Sequence, residues 1–171
     1  SRTTAVLDQQ GLNIVDARSM TTDDAMALDA FHVLDRDGQP LEDPEVMARL
    51  RATLRQALAH PEVPMPAVRR LARQLRHFPV ATEVSFLPDP RNHRTLMRLT
   101  TRDRPGLLAQ IGAIFAEGGI RLHNAKIATV GALADDVFFI TTRNDAPLTA
   151  ETALRWLRAE IHRRLEEEGL T

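Results

Sequence analysis

The stretch of this sequence best suited to chemistry is Asp103-Arg104-Pro105-Gly106-Leu107-Leu108, a tight loop running into an apolar-periodic segment. Gly106 lets the backbone come close to a bound group and take positive φ, while the first turn of the following helix presents unpaired N–H groups and a partial positive charge. Such a helix start is a seat for a carboxylate. Asp103 supplies the opposite charge, suited to an ammonium group. Asn124 adds an amide on a strand where Ile120 and Leu122 mark the inward face, and an amide both donates and accepts, as a zwitterion requires. Ala125 and Lys126 beside it complete this candidate set. A plainer account fits the same residues: Asp103 caps the helix, Gly106 eases the turn, and Asn124 bonds a neighbouring backbone group.

Other chemistries find little support. The six histidines, His32, His60, His77, His93, His123 and His162, are scattered, none in a His-Asp pair and none at metal-ligand spacing on a helix. There is no cysteine, hence no thiolate nucleophile and no Cys-ligated metal. No catalytic or metal-ligating residue is assigned. A formal charge of -1 and a pI near 6.6 lack the basic footprint of a dedicated nucleic-acid binder. No apolar run reaches the ~18 residues of a membrane span, and no signal peptide is visible. The expectation is a cytoplasmic chain with neither nucleic acid nor membrane as partner. With 43% hydrophobic residues it can bury a core. It lacks an initiating Met, and Ser1 to Leu7 reads as the middle of a helix, so a piece of something longer is expected.

The elements that must position the loop are organised by an internal repeat. Residues 119–129 lie over 11–21 at an offset of 108, which pairs Asp16-Ala17-Arg18 with Asn124-Ala125-Lys126 and makes Asp16 a further candidate. After the next turn the offset becomes 107, pairing Asp29-Ala30-Phe31 with Asp136-Val137-Phe138. In the second copy, Thr95 to Thr101 reads as a strand, and Leu107, Leu108, Ile111, Ile114 and Phe115 as a helix face stopped by Gly118-Gly119. Ile120 to Val130 and the Val137 to Ile140 core form a hairpin, and Thr149 caps a last helix carrying Leu154, Leu157, Ile161 and Leu165. Copy one repeats this from its first helix onward, with strands near 12–22 and 27–34 and a helix from Pro44 to His60. Val80 to Leu87 alternates as a strand that can close copy one as its fourth, although exchange of strands between copies is conceivable. The order β-α-β-β-α-β is the ferredoxin-like pattern, so the fold class is α+β, with antiparallel sheets carrying helices on one face. The expected division is 1–88, truncated at its start and including a linker helix at 66–78, and 92–171. The missing first strand leaves a sheet edge that a second copy of the chain can cover, so either a homodimer or a distorted first copy is expected.

Strand, Asp103-Arg104-Pro105-Gly106-Leu107-Leu108, helix, Gly, strand resembles the ACT domain, a ferredoxin-like amino-acid-sensing module. More narrowly, Arg73-Gln74-Leu75-Arg76-His77-Phe78-Pro79, His123-Asn124-Ala125-Lys126-Ile127 and Asp136-Val137-Phe138-Phe139 resemble the C-terminal tandem ACT region of bifunctional PII uridylyltransferase/uridylyl-removing enzymes. The resemblance implies a sensor of glutamine or another small amino acid. It implies a parent that transfers UMP to and from the PII signalling protein, with Mg2+ serving the parent and no cofactor in this stretch. The catalytic sites would lie upstream, leaving the fragment itself without enzymatic activity.

Two other classes stay open at this point. One is an ACT pair from a different amino-acid-controlled protein; the other is a ferredoxin-like interaction module binding protein or RNA. The basic amphipathic stretch from Pro66 to His77 reads as a solvated linker helix or as a contact for an anionic partner. Phe138 and Phe139 read as core packing, at least one of them, in preference to an aromatic RNA platform.

Overall fold

The computed structural model describes residues 2–21, 27–62, 80–130 and 132–167. Its order is α1 (Arg2–Gln9), β1 (Asn13–Thr21), β2 (Ala27–Leu34), α2 (Pro44–Ala59), β3 (Glu83–Asp89), β4 (Arg94–Arg102), α3 (Leu107–Glu117), β5 (Ile120–Lys126), β6 (Thr129–Val130), β7 (Leu133–Thr142) and α4 (Glu151–Glu167). All pairings are antiparallel, and one sheet runs β2-β1-β5-β7-β4-β3, with the short β6 beside β7. The expected linker helix at 66–78 lies outside the described residues.

Alternation sets the faces. On β4, Thr95, Met97, Leu99 and Thr101 are buried, and their partners Ile140, Phe138, Asp136 and Ala134 on β7 are buried with them. Against this face α3 presents Leu107, Ile111, Ile114 and Phe115, and α4 presents Leu157, Ile161 and Leu165, spacings of three and four that make one apolar stripe per helix. Phe115 meets Phe138 edge to face, centroids 5.6 Å apart. Fully burying one such aliphatic side chain is worth about 1.5–3 kcal/mol, so these stripes dominate the attachment of both helices. The Thr95 hydroxyl is satisfied by the Leu148 carbonyl at 3.0 Å. Asp43 caps α2, accepting from the Glu45 and Val46 N–H groups, and Pro44 occupies the first turn where its missing N–H costs nothing. α4 begins at Glu151, its first bonds running to the Ala150 carbonyl, one residue past the Thr149 cap that the sequence suggests.

One alternative is decided and one expectation corrected. The strand expected at Val80 to Leu87 forms at Glu83–Asp89 and pairs with β4, from Glu83 opposite Thr100 to Asp89 opposite Arg94, and not with β1 or β2, so of the two placements left open by the sequence it takes the one beside the later strands. Its alternation is satisfied there because Val84 and Phe86 face the same core as Leu99 and Met97, and the Arg158 guanidinium lies 5.4 Å above the Phe86 ring. Asn124 does not continue the inward face of Ile120 and Leu122. A bulge between Leu122 and Asn124 shifts the register, and Ala125, opposite Phe138, takes the inward position instead.

Candidate functional site

The segment before α3 has no side-chain cap. Gly106 is the N-cap residue itself, left-handed at φ 83°, and no side chain bonds the first turn, so Asp103 is not a helix cap and the plainer account of it fails. Pro105 and Gly106 instead form a turn in which the Leu107 N–H reaches the Arg104 carbonyl at 3.2 Å and the Gln110 N–H the Gly106 carbonyl at 3.0 Å. The loop is anchored from behind by the Asp103 N–H, which donates to the Ala132 carbonyl at 2.9 Å. The Arg104 guanidinium donates to the Leu165 carbonyl at the end of α4 and to Gln110.

In front of this loop lies a cavity of about 330 Å³. One wall is the loop and the first turn of α3; the others are Thr4 and Asp8 of α1, the start of β1 from Leu12 to Val15, and Thr129, Ala134 and Asp136. The volume is at the small end of the range for ligand sites, suited to a small metabolite. Of the residues singled out in the sequence, Asp103, Arg104, Gly106, Leu107 and Leu108 line it. Pro105 does not, and neither do Asp16, Asn124, Ala125 and Lys126, which the bulged β5 and its partner β1 place elsewhere on the sheet. Ala125 lines a neighbouring, mostly apolar pocket together with Leu108, Phe115 and Phe138.

Three aspartates from three elements give the cavity its character. Asp136 is 1% exposed; its Oδ1 accepts the Ala128 N–H at 3.2 Å, while Oδ2 is buried with no partner among the described residues. Burial pushes its carboxyl up to about 7, the Ala128 N–H opposing and the nearby Asp103 and Asp135 adding to the rise. Burial likewise raises Asp8, whose Oδ2 is also buried without a partner among the described residues; the Gly106 N–H offsets part of this and Asp103 adds to it. Asp103, at the open side, is raised by partial desolvation and lowered in part by the Arg104 N–H and the Thr129 hydroxyl. A site with amide donors at one end and raised, underpaired carboxylates around it suits a ligand carrying both an anionic and a cationic group.

Sequence reasoning missed Asp8 and Asp136. Asp136 was legible by parity, because it stands two residues before Phe138 on a strand whose inward face Phe138 marks. Asp8 was not, since nothing local ties α1 to the α3 loop. Among the described residues no group of three or more His, Cys, Asp or Glu is arranged to hold a metal, and no helix is long and apolar enough to cross a membrane.

No family model matches the chain, and no solved structure matches it. Curated relatives do. The chain is 47% identical over 159 residues to the bifunctional uridylyltransferase/uridylyl-removing enzyme of Methylococcus capsulatus, covering 92% of this chain and 18% of that protein. It is 41% identical over 162 residues to that of Idiomarina loihiensis (94% and 18%) and 44% over 167 to that of Ectopseudomonas mendocina (96% and 19%). The chain therefore spans less than a fifth of the length of these relatives. Identity at this level over nearly the whole chain makes it a homologue of one segment of the bifunctional uridylyltransferase/uridylyl-removing enzymes.

Proposed function

We infer that this chain is the amino-acid-sensing region of such an enzyme, built from two ACT-type ferredoxin-like units, and that glutamine is its ligand. The observation that carries the reading is the cavity in front of Gly106, where the start of α3 meets Asp8, Asp103 and Asp136. A free amino acid would lay its carboxylate toward the Leu108 and Ala109 end of the first helical turn and its ammonium toward the aspartates, with its side chain along the start of β1. The internal repeat supports the two-unit description, with the divisions expected at 1–88 and 92–171 and β3 lying beside β4 across that boundary. The region binds and reports; UMP transfer to and from PII, and the Mg2+ that would serve it, belong to the rest of a full-length enzyme. Occupancy would bias the balance of the two opposed reactions in proportion to its differential affinity for two states of the whole.

Calorimetric titration of the chain with glutamine, alongside glutamate and serine, tests the reading. Glutamine-selective heat that is lost in Asp103→Ala is the expected result. Heat with none of the three contradicts it and favours an interaction module.

A further inference from the structure

A second cavity, of about 300 Å³, adjoins the one before α3 and shares Thr4, Ile14, Leu108 and Ile127 with it. The internal repeat relates the two. At the offset of 108, Leu12, Asn13 and Ile14 of the first cavity correspond to Ile120, Arg121 and Leu122 of the second, and the offset of 107 carries Asp29 onto Asp136. The correspondence extends into the helices, where buried Val6 and Leu7 of α1 match buried Ile114 and Phe115 of α3. The same arrangement of elements therefore builds both cavities, one on each copy.

Their chemistry differs. Gly112 and Ala116 stand in the second cavity where the first has Thr4 and Asp8, and Phe31, Phe115 and Phe138 give it aromatic walls. Its charged residues are Arg18, Arg121 and Asp29. Arg18 is paired with Asp16 at 3.3 Å and Arg121 with Asp145 at 2.6 Å, and both alternate with Ala17 and Leu122, so their side chains leave the face that bounds the cavity. Asp29 shares the face of Phe31; it is exposed, accepts the Ser19 hydroxyl at 2.7 Å and forms no ion pair among the described residues. An apolar pocket with one unmatched carboxylate at its mouth is complementary to an apolar body that ends in a cation. We propose that this second cavity is a ligand site of its own, taking a branched aliphatic primary ammonium whose carbon chain lies against the three phenylalanines and whose charge rests on Asp29. Free amines and apolar amino acids share that chemistry, and the site goes beyond the glutamine reading without depending on it.

The test titrates the isotopically labelled 171-residue chain with isopentylamine, with leucine and with 4-methylpentanoate, which is leucine without its amine, and follows amide chemical shifts. Isopentylamine should bind with a dissociation constant on the order of millimolar, as about five carbons leaving water allow, and its shifts should centre on Ala17, Phe31 and Ile120 and not on Gly106. Leucine binding there assigns the site to apolar amino acids, and its absence assigns it to free amines. The acid should bind about 2-fold to 5-fold more weakly than the amine, the range for an exposed ion pair. Asp29→Asn keeps the acceptor for Ser19 and should remove that difference, with thermal melting verifying its fold; should it not fold, the amine and acid compared on the unaltered chain decide. An acid that binds as tightly as the amine, shifts centred on Gly106, or no saturable shifts with any of the three overturn the proposal. Glutamine added to the same sample reports on the first cavity separately, so failure of either reading is told apart from failure of the other.

Discussion

Ala17 on β1 and Ala125 on β5 stand directly opposite one another, and they are also equivalent positions of the internal repeat, 108 residues apart. Their neighbours exchange accordingly: Asp16 faces Lys126, and Arg18 faces Asn124. At the same offset Asp16 corresponds to Asn124 and Arg18 to Lys126, so each of these two pairs is the counterpart of the other, as in an isologous contact between like surfaces, here within a single chain. The bulges obey the same offset, between Ile14 and Asp16 in β1 and between Leu122 and Asn124 in β5, as do the left-handed glycines Gly11 at φ 71° and Gly119 at φ 63°. This seam brings Leu12 to Val15 in front of the Asp103–Gly106 loop, which is how a cavity arises between them.

Ala125 lies on the inward side of the seam, 2% exposed and opposite Phe138 beside the apolar pocket, so Ala125→Asn places an amide without a partner there and should cost about 1–3 kcal/mol. Urea unfolding measures it; a midpoint equal to that of the unaltered chain would show that β1 and β5 are not packed as described.

Gly106 takes a conformation that other residues pay for. At φ 83° an alanine is expected to cost about 1–2 kcal/mol, and because the added Cβ would meet the Asp8 Oδ2 only at 3.8 Å the cost is backbone strain, not collision. Gly106→Ala should therefore unfold at lower denaturant with an unchanged urea slope, and should weaken glutamine binding by disturbing the start of α3.

Asp136 makes stability depend on pH in a direction opposite to most carboxylates. Its folded value, about 7, is above the usual 3.8, so between pH 4 and 7 the unfolded chain releases a proton that the folded chain keeps, and stability falls as pH rises. Three units correspond to a ceiling of about 4 kcal/mol. Asp135, Asp145 and Glu160 are held below their usual values by Arg98, Arg121 and the Arg163 and Arg164 pair respectively, so their contributions are lost at more acid pH. Thermal melts from pH 4 to 8 should show the decline in the unaltered chain and a flatter curve for Asp136→Asn. Parallel curves would mean that Asp136 titrates normally.

Leu157 is fully buried where α4 meets the sheet, and Leu157→Ala should cost about 2–5 kcal/mol through lost transfer energy and a residual cavity. Trp156, one residue away and 42% exposed, serves as control, with a smaller loss expected on truncation.

Local pattern carried much of this architecture into the sequence. The stripe Leu107, Ile111, Ile114, Phe115 and the alternation of β4 and β7 are short-range signals, and each element they imply is present. The placement of β3 was not legible, because alternation at Val84 and Phe86 says which face is buried but not which neighbour the strand chooses. The loop from Asp103 to Leu108 was legible as the start of α3, and all of it but Pro105 lines the cavity. The parity of β5 was not legible, because a bulge changes it without marking itself in residue type: His123-Asn124 looks like any alternating pair, yet Ala125 stands opposite Phe138 and Asn124 opposite Phe139, with the Asn124 Oδ1 still buried. Asp8 reaches the cavity only through the packing of α1 against α3.

The most direct test of the account is a glutamine titration of the isotopically labelled chain followed by amide chemical shifts. Saturable shifts centred on Asp8, Ile14, Gly106, Leu108 and Asp136, with Asp16 and Lys126 less affected, are the predicted result. Shifts centred on Asn124 and Lys126, or none at millimolar glutamine, would contradict a ligand site in front of Gly106.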